Sequence, residues 1–171
     1  MRNSSLFLVA GLLLSGFGVG AAQAQSAGAT DKGYFGDWKG NPAKSSVSAG
    51  GPPPRNMPGT RHHEDLGNGF MLVQIKNFNA KGESEWQNYV VKVDGKQYPV
   101  AQANQTKQRT VSFTLVDPYT TTFMFYEDGK PTSSVPGKRT TSKDGKTLTI
   151  DQTNTNAQGQ TYTSHSEFDK Q

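Results

Sequence analysis

Residues 142–168 read SKDGKTLTIDQTNTNAQGQTYTSHSEF, and this stretch decides the fold class. Two runs of alternating side chains flank a turn at residues 156–159. Leu148 and Ile150 share one face of the first run, with threonines on the other, and this two-residue period is typical of a half-buried β-strand. Gly159 supplies the positive φ that a tight connection requires. The stretch therefore predicts a β-hairpin.

The chain upstream of this hairpin repeats the same pattern. Glycine-containing turns at residues 79–82, 94–96, 128–130 and 143–146 separate short runs rich in Val, Thr, Phe and Tyr, residue types that favour strands. No segment has the 3.6-residue period of an amphipathic helix. The predicted strands cover residues 34–39, 60–66, 69–78, 83–93, 96–101, 109–117, 120–127, 131–141, 146–155 and 160–168.

The succession of short connections predicts an all-β fold. Strands joined by tight turns run antiparallel as a meander. A meander of this many strands removes its exposed edges by closing on itself. We therefore expect an antiparallel up-and-down meander that closes into a small barrel. A β-sandwich has similar turn spacing and stays an alternative.

The first 24 residues have the pattern of a secretory signal peptide. Arg2 supplies the positive start, residues 6–19 are apolar, and residues 22–24 read Ala-Gln-Ala, a small-x-small cleavage site. The apolar run is shorter than the roughly 20 residues of a membrane span, so we expect cleavage after Ala24 and no membrane anchor afterwards. The chain has no cysteine for a lipid anchor or a disulfide. These features predict a periplasmic or secreted bacterial protein.

Removal of 24 of the 171 residues leaves 147, the size of one domain. We expect residues 25–32 to form a flexible N-terminal lead and residues 33–171 to form a single barrel-like domain. Residues 40–60 contain Gly50-Gly51, three consecutive prolines and Pro58-Gly59. That density of helix and strand breakers predicts an ordered surface loop with no regular element.

The composition predicts a thin or hollow core. Hydrophobic residues make up only 32% of the chain, against about 45–50% in globular domains when glycine is also counted. Alternation that turns Leu148 and Ile150 inward also turns Gln152 and Asn154 inward. Buried polar groups without partners are unfavourable, so either a partly wet, ligand-sized interior accommodates them or they lie at an open rim. The residues expected opposite them are Tyr162, Ser164, Ser166 and Phe168.

Charge and motifs exclude several functions. Without Arg2 the chain carries 17 basic and 14 acidic residues, and no basic cluster indicates a nucleic-acid partner. In a strand at residues 62–65, His62 and Glu64 share one face and His63 and Asp65 the other, and two ligands do not make a zinc site. His165 belongs to a polar face. No nucleophile motif occurs, so we expect no catalytic residue, metal or other cofactor.

Short motifs in the chain resemble those of two groups of known proteins. Gly36-Asp37-Trp38 is similar to the G-x-W element that opens lipocalins, which implies a calycin-like barrel in which Trp38 closes the base and a cation from a late strand stacks on it. Arg139 is the candidate for that structural cation. The chain also resembles a group of small exported bacterial proteins without an assigned function. The segments that carry this second likeness are residues 36–39, 41–45, 52–54, 94–100, 142–149 and 156–160.

Three functional hypotheses remain open. The first is a non-catalytic binding protein that holds a small apolar or amphipathic ligand, with wall residues Tyr89, Phe113, Phe125 and Tyr162. The second is an envelope interaction module that uses its outer surface, with Trp86 and the Pro-rich loop as contacts to a protein partner that the residues do not name. Exposure of Trp86 would favour this second hypothesis. The third is a hydrolase or metal protein built on His62 and Glu64.

Overall fold

The computed structural model describes residues 33–52, 58–79, 81–156 and 158–171. The expected signal peptide at residues 1–24 and the expected lead at residues 25–32 lie outside the described residues, as do the middle prolines of the loop at residues 40–60. In the part of the chain that is described, no helix is long and apolar enough to cross a membrane.

The described residues form a closed antiparallel barrel of ten strands, which confirms the all-β meander. Each strand pairs with the next along the barrel, and the ring closes where the first strand pairs with the last. Two further strands of two residues each extend the barrel wall, one pairing with β12 beyond β1 and the other pairing with β8 beyond β10. The strands are β1 (Gly36–Gly40), β2 (Ser46–Val47), β3 (Thr60–Gly67), β4 (Phe70–Phe78), β5 (Ser84–Val91), β6 (Tyr98–Gln102), β7 (Arg109–Asp117), β8 (Thr120–Glu127), β9 (Lys130–Pro131), β10 (Gly137–Thr141), β11 (Thr147–Thr155) and β12 (Thr161–Lys170).

The closing seam uses both ends of β12. Its C-terminal half pairs with β1 and its N-terminal half with β2, and a 3-10 turn at Pro42–Lys44 joins the two short strands. The Ser45 hydroxyl accepts a hydrogen bond from the Glu167 backbone N–H at 3.1 Å, so the turn stays attached to β12. The expectation of no regular element in residues 40–60 was therefore wrong. The dense breakers begin only at Gly50, which leaves Ser46–Val47 free to pair.

The predicted strand at residues 131–141 is interrupted. Lys130–Pro131 pairs with β8 beyond the turn at Asp128 and Gly129, and the ladder resumes only at Gly137. Pro131 and Pro136 have no backbone N–H to donate, so they cannot sustain continuous pairing. The expectation of one unbroken strand was wrong at these prolines.

The core lies at one end of the barrel, where β3 ends at Gly67 and where a turn connects the end of β10 to the start of β11. Trp38 is fully buried there and donates its indole N–H to the Tyr34 carbonyl at 3.1 Å. Gly33 lies so close to Gly145 that an added Cβ would come within 2.5 Å of the Gly145 Cα. The N-terminal segment therefore closes this end, and the free interior lies toward the other. The buried hydrophobic residues are Tyr34, Trp38, Met71, Val73, Ile75, Tyr89, Val91, Val100, Val111, Phe113, Phe123, Leu148, Ile150 and Phe168.

Candidate functional site

A cavity of about 440 Å³ occupies the interior of the barrel. Its inner wall is a cluster of rings from β5, β7 and β8, where alternate side chains point inward. The Tyr89 ring centre lies 5.8 Å from that of Phe113 and 6.2 Å from that of Phe125. Phe123 packs between the two phenylalanines, 5.7 and 5.8 Å away. These four rings give the cavity an apolar, aromatic wall.

The outer part of the same cavity is polar. Asn77, Gln87, Gln102 and Asn104 line it together with the carboxylate-bearing Glu85. Glu85 and Asn104 are exposed, so the cavity opens to solvent at this end of the barrel. A molecule entering here would pass amide groups before it reached the rings.

A second cavity of about 340 Å³ adjoins the first. Both are lined by Arg61, Asn77 and Gln152, so the two share a wall. Gly51 packs against the Tyr162 side of this cavity, where an added Cβ would lie 2.7 Å from the Tyr162 ring. The predicted inward residues of the last hairpin do face this interior. They are Gln152, Asn154, Tyr162, Ser164, Ser166 and Phe168.

The four predicted wall residues divide between the two cavities. Tyr89, Phe113 and Phe125 come together in the first cavity, and Tyr162 lines the second. Their placement on the interior follows the alternation of their strands. Ligand binding by these residues stays a prediction.

Three arginines line the first cavity, and sequence reasoning assigned none of them to it. The predictions from the sequence give Arg61 and Arg109 no role and give Arg139 only a structural one. The alternation of side chains along β3 and β7 does indicate that Arg61 and Arg109 face the interior. Arg61 shares a face with buried His63, and Arg109 shares a face with Val111 and Phe113.

Each of these arginines stacks on an aromatic ring. The guanidinium carbon of Arg61 lies 4.7 Å from the ring centre of Phe168, and that of Arg109 lies 4.6 Å from that of Phe125. Arg139 is only 4% exposed and contacts two rings. Stacking on a ring uses the flat face of a guanidinium group and does not use its in-plane N–H donors.

Arg139 does not stack on Trp38 as expected from the lipocalin resemblance. Its guanidinium carbon lies 3.9 Å from the ring centre of Tyr34 and 4.4 Å from that of Phe113. The cation over Trp38 is the Lys170 ammonium, at 5.4 Å. The alternation of β10 turns Arg139 into the cavity, whereas Lys170 ends the strand that pairs directly with Trp38.

The two deepest arginines have no acidic partner. Among the described residues, no carboxylate oxygen lies within 4.0 Å of the guanidinium group of Arg61 or Arg139. The Nε of Arg61 and the Nη2 of Arg139 are buried without a hydrogen-bond acceptor. Burial lowers the pKa of both arginines, and the charge of Arg139 lowers that of Arg61 further.

Arg109 has a different environment near the mouth. Its Nη1 donates a 2.8 Å hydrogen bond to the Gln102 side-chain oxygen and lies 4.0 Å from a Glu127 carboxylate oxygen. Gln102 also accepts a hydrogen bond from the Gln87 amide at 3.3 Å. The charge of Arg109 is therefore partly neutralised, unlike that of Arg61 and Arg139.

A buried histidine lies beneath this cluster. His63 stacks on Tyr34 with ring centres 4.3 Å apart, and its Nδ1–H donates to the Tyr34 carbonyl at 3.2 Å. Its Nε2 and the Tyr34 hydroxyl are buried without partners in the described chain. Burial lowers the pKa of His63 well below its ordinary value, and Arg139 and Arg61 lower it further. The imidazole is therefore neutral at neutral pH.

The other histidines lie on the outside, where alternation predicted them. His62 Nδ1 lies 2.8 Å from Asp37 Oδ1, and its Nε2 lies 3.7 Å from Glu64 Oε2. His165 Nδ1 lies 2.7 Å from Asp151 Oδ1. No group of three or more His, Cys, Asp or Glu side chains that could hold a metal ion occurs within the described ranges.

Trp86 is the large aromatic residue at the cavity mouth. Its side chain is 44% exposed and points away from the barrel axis, opposite Tyr89, as counting along β5 predicted. It still borders the outer part of the first cavity. Val90, on the same outer face of β5, is also exposed.

Comparison with known proteins gives no relative to transfer a function from. No protein-family model matches the chain, and neither the curated proteins nor the solved structures include a significant match. The functional argument therefore depends on the cavity itself.

Proposed function

We propose that this protein binds one small apolar or amphipathic molecule inside its barrel, without catalysis. The observation that carries the proposal is the cavity of about 440 Å³ walled by Tyr89, Phe113, Phe123 and Phe125. Pockets for small ligands are typically about 300–1,000 Å³, largely apolar, and contain a few converging polar groups. The ring cluster supplies the apolar wall of such a pocket, and the amides and arginines around it supply more polar groups than a purely apolar ligand needs.

The proposed setting is the bacterial periplasm or the extracellular space. The signal-like residues 1–24 and the absence of cysteine support export of a soluble binding protein. The lipocalin-like Gly36-Asp37-Trp38 at the start of β1 supports a calycin-like carrier. In that setting the barrel would shield an apolar molecule from water during transport or storage.

Native mass spectrometry provides the first test. The mature protein would be purified gently from the envelope fraction of its own host, and bound molecules would be extracted under denaturing conditions. A reproducible small-molecule adduct supports the carrier function and identifies the ligand class. A protein that is consistently free of small molecules under these conditions, and that also fails to bind added apolar probes, contradicts it.

Variants then locate the site. Phe113→Asp places a charge in the ring cluster and should abolish binding, whereas Thr114→Asp, the next residue on β7, faces solvent and should leave affinity unchanged. Since Phe113 is fully buried, Phe125→Asp, at a half-buried position, serves as a second variant if the first does not fold. Retained affinity in a folded Phe113 or Phe125 variant would place the ligand elsewhere.

Exposure of Trp86 favours a second candidate, an interaction with an envelope protein through the outer face of β5. Trp86 and Val90 are both more than 40% exposed on that face, and exposed apolar patches mark interaction sites. A co-purifying protein that is lost with Trp86→Ser, but retained with Val116→Ser on β7, would support this candidate. Equal recovery with both variants would contradict it.

A further inference from the structure

We propose that the ligand of the first cavity is an amphipathic organic acid whose anionic group binds to Arg61 and Arg139 and whose apolar part lies against the ring cluster. The inference deepens the proposed function and rests on it. It specifies the chemical class of the ligand and the residues that distinguish an acid from a neutral molecule of the same shape.

Unpaired buried charge is the first argument. Removing a guanidinium group from water carries a penalty of several kcal/mol, which a native protein offsets with a carboxylate or a full set of hydrogen bonds. Arg61 and Arg139 have neither among the described residues, although both line the same cavity. Arg139 is buried against the rings of Tyr34 and Phe113, and half-buried Arg61 stacks on the ring of Phe168. An anion in the cavity would supply the missing partner for both.

The charge balance of the cavity wall also favours an anionic ligand. Three arginines line it, and the carboxylate among its described lining residues is that of Glu85, at the exposed mouth. The wall therefore has a net positive charge, and its most buried cation is Arg139, beside the ring of Phe113. An anion entering past the amides would meet increasing positive potential as water is excluded.

The geometry of the donors fits an oxyanion. The guanidinium carbon of Arg139 lies close to the rings of both Tyr34 and Phe113, its Nη2 has no hydrogen-bond acceptor, and the residue lines the first cavity. A planar guanidinium with free edges binds carboxylate, sulfate and phosphate oxygens through two parallel hydrogen bonds. A cation of this kind next to apolar rings provides adjacent sites for a charged head and an apolar tail.

Tyr89 adds a neutral hydrogen-bond donor, its hydroxyl group, to the cavity that the arginines line. Its hydroxyl makes no hydrogen bond to another described residue, and it lines the cavity. Burial raises the pKa of Tyr89, while the charges of Arg139, Arg61 and Arg109 all act to lower it. The phenol therefore keeps its proton and lies within the field of all three arginines, where it can donate to the same anion.

The test compares three ten-carbon probes on the wild-type protein. Binding of decanoate, decan-1-ol and decylamine would be measured by isothermal titration calorimetry at about pH 8, where the carboxylic acid is ionised. We expect decanoate to bind at least about tenfold more tightly than decan-1-ol, equal to about 1.4 kcal/mol. Decylamine should bind most weakly.

Each outcome separates the two proposals. Equal affinity for decanoate and decan-1-ol, or tighter binding of decan-1-ol or decylamine, overturns the acid-binding inference and leaves the apolar carrier intact. Failure of all three probes to bind overturns both. Tight decanoate binding that Phe113→Asp or Phe125→Asp does not affect places the acid outside this cavity and also overturns the inference.

Arginine variants assign the preference to residues. Arg139→Gln and Arg61→Gln should each weaken decanoate binding far more than decan-1-ol binding, and so remove most of the preference for decanoate. Lys138→Gln is the matched control, because Lys138 precedes Arg139 on β10 and faces solvent. A preserved preference in both folded arginine variants contradicts the assignment.

One spectroscopic measurement avoids variants altogether. Decanoate labelled with ¹³C at its carboxyl carbon would be titrated by NMR in the wild-type complex. Contact with two guanidinium groups should lower the carboxyl pKa below that of free decanoate. An unchanged or raised carboxyl pKa shows a carboxylate outside the arginine site and overturns the inference.

Discussion

Arg139 and Phe113 contact each other inside the barrel, with the guanidinium carbon 4.4 Å from the centre of the phenylalanine ring. The two residues belong to strands β10 and β7, and both line the first cavity. The contact places a buried positive charge directly beside the most enclosed ring of the apolar wall. It links the stability of the empty barrel to the chemistry of its ligand.

The buried charge of Arg139 is expected to limit the stability of the ligand-free protein. Replacement of Arg139 by Met keeps an unbranched chain but removes the unpaired guanidinium, so the free energy of unfolding should stay equal or rise by about 1–4 kcal/mol. Urea unfolding of the ligand-free variant and wild type would measure the difference. A loss of more than about 1 kcal/mol would mean that stacking on Tyr34 and Phe113 outweighs the desolvation of the charge.

His63 is expected to make the fold sensitive to mild acid. Its folded-state pKa lies well below its ordinary value because it is buried near two arginines. Below about pH 6.5 the unfolded chain binds a proton that the folded chain excludes, so the free energy of unfolding decreases as the pH falls. Urea unfolding at about pH 7.5 and pH 5 would measure this loss.

The variants for this prediction differ by one position along β3. His63→Gln should reduce the loss between the two pH values, and His62→Gln, which alters an exposed residue, should retain it. NMR of the wild-type protein adds an independent check, because the His63 ring should stay neutral below about pH 6.5, where an ordinary imidazole becomes charged. A His63 ring that titrates near pH 6.5 would contradict the prediction.

Gly137 is expected to be intolerant of a side chain. It pairs with Phe123 across β8 and β10, and an added Cβ would lie 2.5 Å from the Phe123 Cζ and 2.8 Å from its Cε2. Gly137→Ala should therefore displace the ring toward the cavity and lower the free energy of unfolding by about 1–3 kcal/mol. Lys138→Ala, at the exposed neighbouring position, serves as the control. Equal stability of the two variants would show that the Phe123 ring can move freely.

Trp86 is expected to report ligand entry by fluorescence. It borders the cavity mouth and is 44% exposed, whereas Trp38 is buried at the closed end. Binding of decanoate should change the intensity or emission maximum in the wild type and in Trp38→Phe, but not in Trp86→Phe. A signal that disappears only with Trp38→Phe would indicate that the ligand reaches the closed end or acts on the whole barrel.

The presence of each strand, and the face of the sheet on which each side chain lies, could be predicted because both are local properties. Turns such as Asp128-Gly129 mark where a strand ends, and alternation assigns each side chain to one face. This reasoning predicted the ten barrel strands and the inward positions of Gln152 and Asn154. It failed at residues 132–136, which lie between β9 and β10, follow Pro131 and end at Pro136, and at Ser46–Val47, which pairs only because β12 extends beyond β1.

The sequence by itself determined the all-β meander, the position of its turns and which residues face the interior, since a two-residue period and a tight turn each depend on a few neighbouring residues. The tertiary structure alone decided which interior residues meet. Arg61, Arg109 and Arg139 come from β3, β7 and β10, and their shared cavity depends on how the strands tilt and stagger when the sheet closes. Alternation sets a face for each residue but not a height along the barrel axis. For that reason the stacking of Arg139 on Tyr34 and Phe113 could not be read from the chain.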